Sequence, residues 1–417
     1  MATFKKNLQY YKFSAYGFLR NLRFFDAFFI LFLIDQGLSY TEIGVLYAIR
    51  EISINLFEIP SGMLADTFGR RRTLLISFMS YIASFLIFYF SHNFIFFLIA
   101  FILFGAGDAF RSGTHKGLIM NYLKQEGWSD QKISYYGHTR SWSQRGAALS
   151  SLIAGIIIFA GGNYQNIFLF STLPYVLNMI LIISYPKELD KIRLSSETKR
   201  QAMKTTFSSF FTIMKDVRVI KLISHSALHS AYLKAVKDYI QPLMVQVAIL
   251  LPLLKHVDLQ QQNGLSIGVF YFIIYIMTSF ASRSASIIEQ NNRKNIVILT
   301  LLVGFMSGIL SGLLYQQGFQ VLALILFVMI YIIENIRKPI LTGYVADHVP
   351  NEILSSVLSV QSLLKTIITA GIALIFGIFA DMLGIGWALS IVSLLLIAGM
   401  IILGLFNSGK AIKKTSI

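Results

Sequence analysis

Uninterrupted apolar blocks constrain this 417-residue chain more than any other feature: 296–314 and 387–406 are each about as long as a bilayer-crossing helix, and the second carries no charge. A hydrocarbon core takes about 20 helical residues to cross. Membrane-spanning β-strands would alternate in polarity over about 10 residues, whereas these blocks keep both faces apolar. In lipid the backbone must satisfy itself, so the blocks read as helices and a β-barrel is excluded. With 55% hydrophobic and only 13% charged residues, there is more apolar side chain than one water-soluble core can hide. An all-α membrane protein of many spans is expected.

The net charge of +16 would point to nucleic acid in a soluble protein, but its placement says otherwise. Lys and Arg crowd the N-terminal tail, the Arg70-Arg71-Arg72 turn, the stretch 187–218, the connection 283–294, and the tail at Lys410, Lys413 and Lys414. The alternate connections, near Ser39, His92, Gly161, Gln316 and Gly384, hold almost none, Lys255 apart. This is the positive-inside asymmetry, which puts both termini in the cytoplasm and makes the number of spans even. The expected location is the cytoplasmic (inner) membrane. The expected partners are membrane lipid and a small-molecule solute, with no nucleic acid, and the chain is expected to act as a monomer. There is no cysteine, hence no disulfide framework, thiol nucleophile or thiolate metal site. Lys5, Lys6 and Lys12 precede an apolar helix that lacks a small-residue cleavage site followed by a soluble domain, so the first helix reads as a retained span.

Apolar periodicity places twelve spans at roughly 15–38, 41–65, 72–91, 94–123, 133–160, 164–185, 218–249, 264–286, 295–315, 319–347, 353–381 and 384–407. Six lie on each side of a mixed-charge, Ser/Thr-rich stretch, which gives an N-terminal six-helix bundle (1–186), a cytoplasmic linker (187–217) and a C-terminal six-helix bundle with a short tail (218–417). Weak internal matches suggest pseudo-symmetry. The fourth span reads Asp108-Ala-Phe-Arg111 and the tenth Glu334-Asn-Ile-Arg337, while the first holds Arg23 and Asp26 and the seventh Lys234, Lys237 and Asp238.

The most specific local motif is Gly62-Met-Leu-Ala-Asp66-Thr-Phe-Gly69-Arg70-Arg71-Arg72, between the second and third spans. Gly62 would let another helix approach, Gly69 permits a tight turn, and Asp66 can meet a helix N-terminus or a basic residue. The motif resembles the signature of the major facilitator superfamily in that loop, Gly-x-x-x-Asp-x-x-Gly-Arg-Arg/Lys, at every fixed position. The six-plus-six split, cytoplasmic termini and central linker also resemble that family, so the resemblance covers essentially the whole chain. It implies two pseudo-symmetric six-helix bundles. It also implies a gate and latch role for Gly62, Asp66, Gly69, Arg70 and Arg71, to which Glu58 is added because Phe57-Glu58-Ile-Pro60-Ser-Gly62 resembles the approach to that loop in many bacterial members. The equivalent loop of the second half, 282–294, keeps only scattered basic residues.

Ionisable residues at membrane depth cost about 2.5–3.5 kcal/mol each on insertion scales and normally face a cavity or a partner. Asp108, Arg111 and His115 follow i, i+3, i+7 on the fourth span, within one face of a continuous helix. Arg23 and Asp26 lie one turn apart on the first span, Arg140 and Gln144 on the fifth, His225, His229, Tyr232 and Lys234 on the seventh, and Glu334 and Arg337 on the tenth. In the family resembled, the first, fourth, seventh and tenth helices line the central cavity. Arg23 with Asp26, Asp108 with Arg111, and Glu334 with Arg337 can also be read as self-neutralising pairs that fix packing. Arg20, Lys116, Lys124 and Lys221 lie near span ends and are expected to snorkel to headgroups. His225 and His229 are two imidazoles at i, i+4, too few for a metal site, and no metal is expected.

Arg23, Arg111, Arg140, His229, Lys234 and Arg337 outnumber the acids, which favours an anionic or polar cargo because guanidinium pairs well with carboxylate and phosphate. Asp26 and Asp108 are the expected proton carriers. The expected function is therefore secondary transport of a small anionic or polar solute by alternating access, proton-coupled, with no cofactor beyond a proton or other ion gradient. The alternatives are a proton-coupled multidrug antiporter, whose Gly-Pro step the fifth span lacks, and a non-transporting membrane sensor or metal-ion binding protein. No nucleophile or metal set is spaced for an enzyme.

Overall fold

The structure is a computed structural model and describes residues 6–128, 131–161, 163–190, 217–250, 258–288, 293–349 and 351–402. The predicted linker falls mostly outside these, as does the basic C-terminal tail. Among the described residues there are fifteen α-helices and no strand: α1 (Leu8–Arg20), α2 (Phe29–Asp35), α3 (Tyr40–Thr67), α4 (Arg70–Phe90), α5 (Phe94–Arg111), α6 (Thr114–Gln125), α7 (Lys132–Gly161), α8 (Asn166–Ile183), α9 (Val217–Val236), α10 (Ile240–Ile249), α11 (Leu259–Ile288), α12 (Arg293–Gln316), α13 (Gln320–His348), α14 (Asn351–Leu383) and α15 (Ile385–Ile402). The expected all-α membrane fold is thus observed.

Nine described segments are long and apolar enough to cross a membrane, and only 33% to 50% of each is buried within the protein. Leu173, Ile180, Leu322 and Leu394 are among the large apolar side chains left exposed, the surface that lipid covers in a multi-pass membrane protein. The three remaining predicted spans differ for visible reasons. The second, α3, is continuous but carries Glu42, Arg50, Glu51 and Glu58. The first and seventh are interrupted, with 3₁₀ turns at Phe24–Ala27 and Lys237–Tyr239 between their helical halves. Both interruptions coincide with charges, Arg23 and Asp26 in one and Lys237 and Asp238 in the other. The freed backbone is taken up locally: Asn21 Nδ2 donates to the Gly17 carbonyl at 2.7 Å, and Tyr331 Oη donates to the Lys237 carbonyl at 2.6 Å. The fourth span, predicted as one helix, is also broken, at Ser112 and Gly113.

The chain forms two compact units. One comprises Met1–Leu38, Ile49–Leu194 and Ala248–Tyr275, the other Ser39–Ala48, Ser195–Val247 and Ile276–Ile417. In the first unit, α4 packs on α5 and α8, and α1 packs on α7 and α8. Its core is aromatic, with Phe168 stacked on Phe25 at 5.6 Å and meeting Phe32 edge-on at 4.6 Å. Small residues let α11 lie against α7: a Cβ on Gly155 would sit 2.7 Å from the Gly264 carbonyl oxygen. In the second unit, α12 packs on α13 and α15, and α9 packs on α14. Asp381 accepts from the backbone N–H groups of Tyr40 (2.8 Å) and Thr41 (2.7 Å), so a carboxylate sits on the donor end of α3.

Candidate functional site

Asp108 is not half of a private pair. Its Oδ1 accepts from the Tyr81 hydroxyl and from Arg111 Nη2 at 3.3 Å, and Arg23 Nη2 lies 3.6 Å away. Arg111 Nε donates to the Tyr81 hydroxyl at 3.2 Å and Arg23 Nε to the Tyr175 hydroxyl at 3.0 Å. One carboxylate therefore serves two guanidiniums, with side chains 15% to 21% exposed, and Asp26 brings a second carboxylate close to Arg23. The tyrosines that organise the set carry no signal in the sequence, where the 20 Tyr are indistinguishable from lipid-belt residues.

Beside this set lies a chamber of about 180 Å³ lined by α1, α6 and α7, into which Arg20, Arg111, His115, Lys116 and Arg140 project, with no carboxylate in its lining. Two backbone features build it. Gly113 adopts φ 72°, in the left-handed region that suits glycine. The resulting break re-aims His115 and Lys116, so the i, i+3, i+7 face expected of a continuous helix is not the reason Arg111 and His115 meet. Gly146 is the second: a Cβ there would sit 2.4 Å from the Phe18 carbonyl oxygen, so α1 and α7 approach closely and bring Arg20 and Arg140 to one wall. His115 stacks on Tyr16, with centroids 3.5 Å apart, and its Nε2 lies 3.2 Å from the Tyr185 hydroxyl. Lys116 Nζ sits 5.6 Å from the Tyr136 ring centroid. Arg20 Nε is buried without a hydrogen-bond partner among the described residues. Arg20 and Lys116, which the sequence places near span ends, both line this chamber.

A second chamber of about 200 Å³ is lined by Asn21, Arg23 and Asp26, which follow α1, by Gln144, Ser150 and Ser151 of α7, and by Tyr275 of α11. Here neutral hydrogen-bonding groups predominate. The Ser150 hydroxyl is buried and has no partner among the described residues. Gln144, Asp26 and Arg23 were legible as candidates from the sequence, while Ser150 and Ser151 were not, since serine in an apolar span usually bonds back to its own helix.

In the second unit Glu334 and Arg337, which could be read as a self-neutralising pair, hold other partners. Glu334 Oε2 lies 2.8 Å from His229 Nδ1, and its Oε1 accepts from the Ser230 hydroxyl. Arg337, 1% exposed, donates to the carbonyls of Val297 and His225 and to the Thr300 hydroxyl. Tyr232 shares a hydrogen bond with Ser393 at 2.6 Å, and Lys234 is half-buried.

At the loop motif, Gly69 has φ 94° and starts α4. Arg71 donates to the carbonyls of Ile183 and Tyr185 at the end of α8. The Arg70 guanidinium lies where a Cβ on Gly117 would be, 2.4 Å from Nη1. Nothing among the described residues lies within 4 Å of a Cβ built on Gly62, and this face of α3 is exposed. Glu58 is also exposed, and the side chain of Asp66 lies outside the described residues.

The family model described as the Major Facilitator Superfamily matches residues 16–372. An uncharacterized MFS-type transporter of Bacillus subtilis (strain 168), YxaM, is 23% identical over 407 residues, covering 94% of both chains. A hexuronate transporter of the same organism is 28% identical over 126 residues, 30% of this chain and 29% of its own. Among solved structures, that of the nucleoside transporter NupG superposes with a TM-score of 0.73 at 13% identity, over 98% of this chain and 100% of its own.

Proposed function

The chain belongs to the Major Facilitator Superfamily, and from that premise we propose that it moves a small polyhydroxylated organic anion, of the sugar-acid class, across the cytoplasmic membrane by alternating access. The observation that carries this reading is the chamber bordered by Arg20, Arg111, Lys116 and Arg140 without a carboxylate in its lining. Arg111 is paired with Asp108, but the other three cations have no carboxylate beside them in the lining, which favours an anion, and guanidinium groups match a carboxylate in shape as well as charge. The neighbouring chamber supplies amide and hydroxyl groups, including the unpartnered Ser150 hydroxyl, suited to the hydroxyls of such a solute. The partial likeness to a hexuronate transporter supports the same class. Both termini lie in the cytoplasm on this reading, and transport is driven by an ion gradient.

The test is equilibrium binding of D-glucuronate, D-glucose and hexanoate to the purified protein in lipid nanodiscs. D-Glucuronate should bind at least about 10-fold more tightly than either of the others, since each lacks one half of the recognition, and a charge-assisted hydrogen bond is worth about 1.5–3 kcal/mol. Glucose binding as tightly as glucuronate would remove the anion from the proposal, and hexanoate doing so would remove the hydroxyls.

A further inference from the structure

We propose that His229 and Glu334 together form a proton-binding site, one proton being taken up at the imidazole and held against the carboxylate. The inference rests on reading the chain as a solute transporter, and it places proton binding in the second unit, away from Asp26 and Asp108.

The geometry is that of a proton acceptor with its conjugate stabiliser already in place. His229 is 0% exposed and Glu334 8%. With Nδ1 at 2.8 Å from Glu334 Oε2, Nδ1 carries the hydrogen of the neutral ring, which leaves the lone pair on Nε2. That Nε2 is buried and has no hydrogen-bond partner among the described residues. It rests on the backbone of α12, where a Cβ on Gly304 would lie 2.2 Å away. An acceptor nitrogen left unpaired in a protein interior is a costly arrangement that function can retain. A proton arriving from water bonds to Nε2, and the resulting imidazolium stays hydrogen-bonded through Nδ1 to the carboxylate. The Ser230 hydroxyl holds the other carboxylate oxygen, so the pair keeps its geometry in both states. Release returns the proton to water and the lone pair to Nε2.

The surroundings fit a site that gains and loses one charge. On α13, Arg337 lies one turn from Glu334 and is held by neutral acceptors, the Val297 and His225 carbonyls and the Thr300 hydroxyl. It balances the carboxylate, so the set is neutral when empty and carries one positive charge when loaded. Tyr331, on the same helix, is committed to the Lys237 carbonyl. On α9 the other ionisable neighbours are His225, Tyr232 and Lys234. Tyr232 is engaged with Ser393 of α15, and α14 brings Gln361, bonded to Ser226, and Lys365. From α12 the ring meets Gly304 and Phe305. Asp108 is placed differently: it is shared between Arg23 and Arg111 and accepts from Tyr81, a fixed counter-ion for two permanent cations. One proton carried with one monoanion makes the cycle electroneutral.

The test needs no solute, so its failure is separable from failure of the sugar-acid reading. Infrared difference spectra of the purified protein in nanodiscs are recorded across about pH 5 to 8. They follow the imidazole ring modes and the protonated-carboxyl stretch. Wild type should show one protonation that is absent from both His229→Gln and Glu334→Gln and retained in Asp26→Asn and Asp108→Asn. Ser230→Ala, which leaves the pair intact, should move that titration along the pH axis, and it serves if the other two variants do not fold. A titration that survives His229→Gln or Glu334→Gln, is lost in Asp26→Asn or Asp108→Asn, or is indifferent to Ser230→Ala would overturn the proposal.

Discussion

The sharpest test of the basic chamber compares two of its arginines that differ in what else they hold. Arg140 is exposed and makes no hydrogen bond or ion pair with the described residues, so Arg140→Gln removes a cation from the wall and leaves no protein group stranded. Stability should stay within about 0.5 kcal/mol of wild type. A lost charge-assisted contact is worth about 1.5–3 kcal/mol, and solvent access places Arg140 at the low end, so D-glucuronate affinity should fall about 10-fold. Arg111→Gln loses a similar contact but also takes a partner from Asp108. Stripping a fully buried charge of its only partner costs about 3–5 kcal/mol. Asp108 keeps Arg23 and Tyr81 and is 21% exposed, so the expected cost is about 1–2 kcal/mol, read as a lower melting temperature in nanodiscs. Adding Asp108→Asn to Arg111→Gln should lower stability further, because Arg23 then loses its contact with the same carboxylate, and should recover none of the affinity. The reasoning fails if Arg140→Gln binds D-glucuronate like wild type, or if the double variant is as stable as wild type.

Gly146→Val should yield little folded protein by size-exclusion chromatography, because the new Cβ would meet the Phe18 carbonyl oxygen at 2.4 Å, whereas Gly62→Ala, whose Cβ meets none of the described residues within 4 Å, should fold like wild type. Asp381→Ala should lower the thermal stability of the purified protein by about 1 kcal/mol, the usual cost of removing a helix cap, since two N–H donors at the start of α3 lose their acceptor. Ser150→Ala should weaken D-glucuronate binding while leaving stability unchanged, because the buried hydroxyl has no partner among the described residues to lose; unchanged affinity would place the solute's hydroxyls elsewhere.

How much of this was legible in the sequence depends on the length scale of each signal. The apolar blocks and the Gly62 to Arg72 motif are continuous in sequence, and they led to the membrane fold and the family. Ionisable residues in apolar helices are rare enough to stand out, so Arg23, Asp26, Asp108, Arg111, His115, Arg140 and Gln144 were identifiable, and all of them border the two chambers or the ion-pair set between them. Pairing was another matter. Neighbours in sequence suggested Glu334 with Arg337, yet Glu334 meets His229 and Ser230 across helices, and helical spacing on one element carries no information about what a second element presents. That Arg20 and Lys116 line a chamber was not legible, because closeness to a span end says nothing of a break within the span.

The interruptions in the helices and the polar chemistry of the chambers have a common cause. A helix in lipid satisfies its own backbone, so a break at membrane depth persists only where other groups take up the freed donors and acceptors. At the end of α1 those groups are the Asn21 amide, bonded to the Gly17 carbonyl, and the Tyr175 hydroxyl, bonded to the Arg20 carbonyl. At the break between α5 and α6 the Thr114 hydroxyl serves the Phe110 carbonyl, and in the seventh span Tyr331 serves Lys237. Each break therefore demands polar side chains at a depth where they would otherwise be excluded. Once there, the same neighbourhood can hold a charged solute at little further desolvation cost. Arg20, Asn21 and Gly113, which terminate or interrupt helices, all line a chamber. Helix continuity and the proposed solute chemistry are thus constrained together: a change that straightened the first or fourth span would restore backbone bonding and, by the same movement, withdraw the cations on which the proposed anion recognition rests.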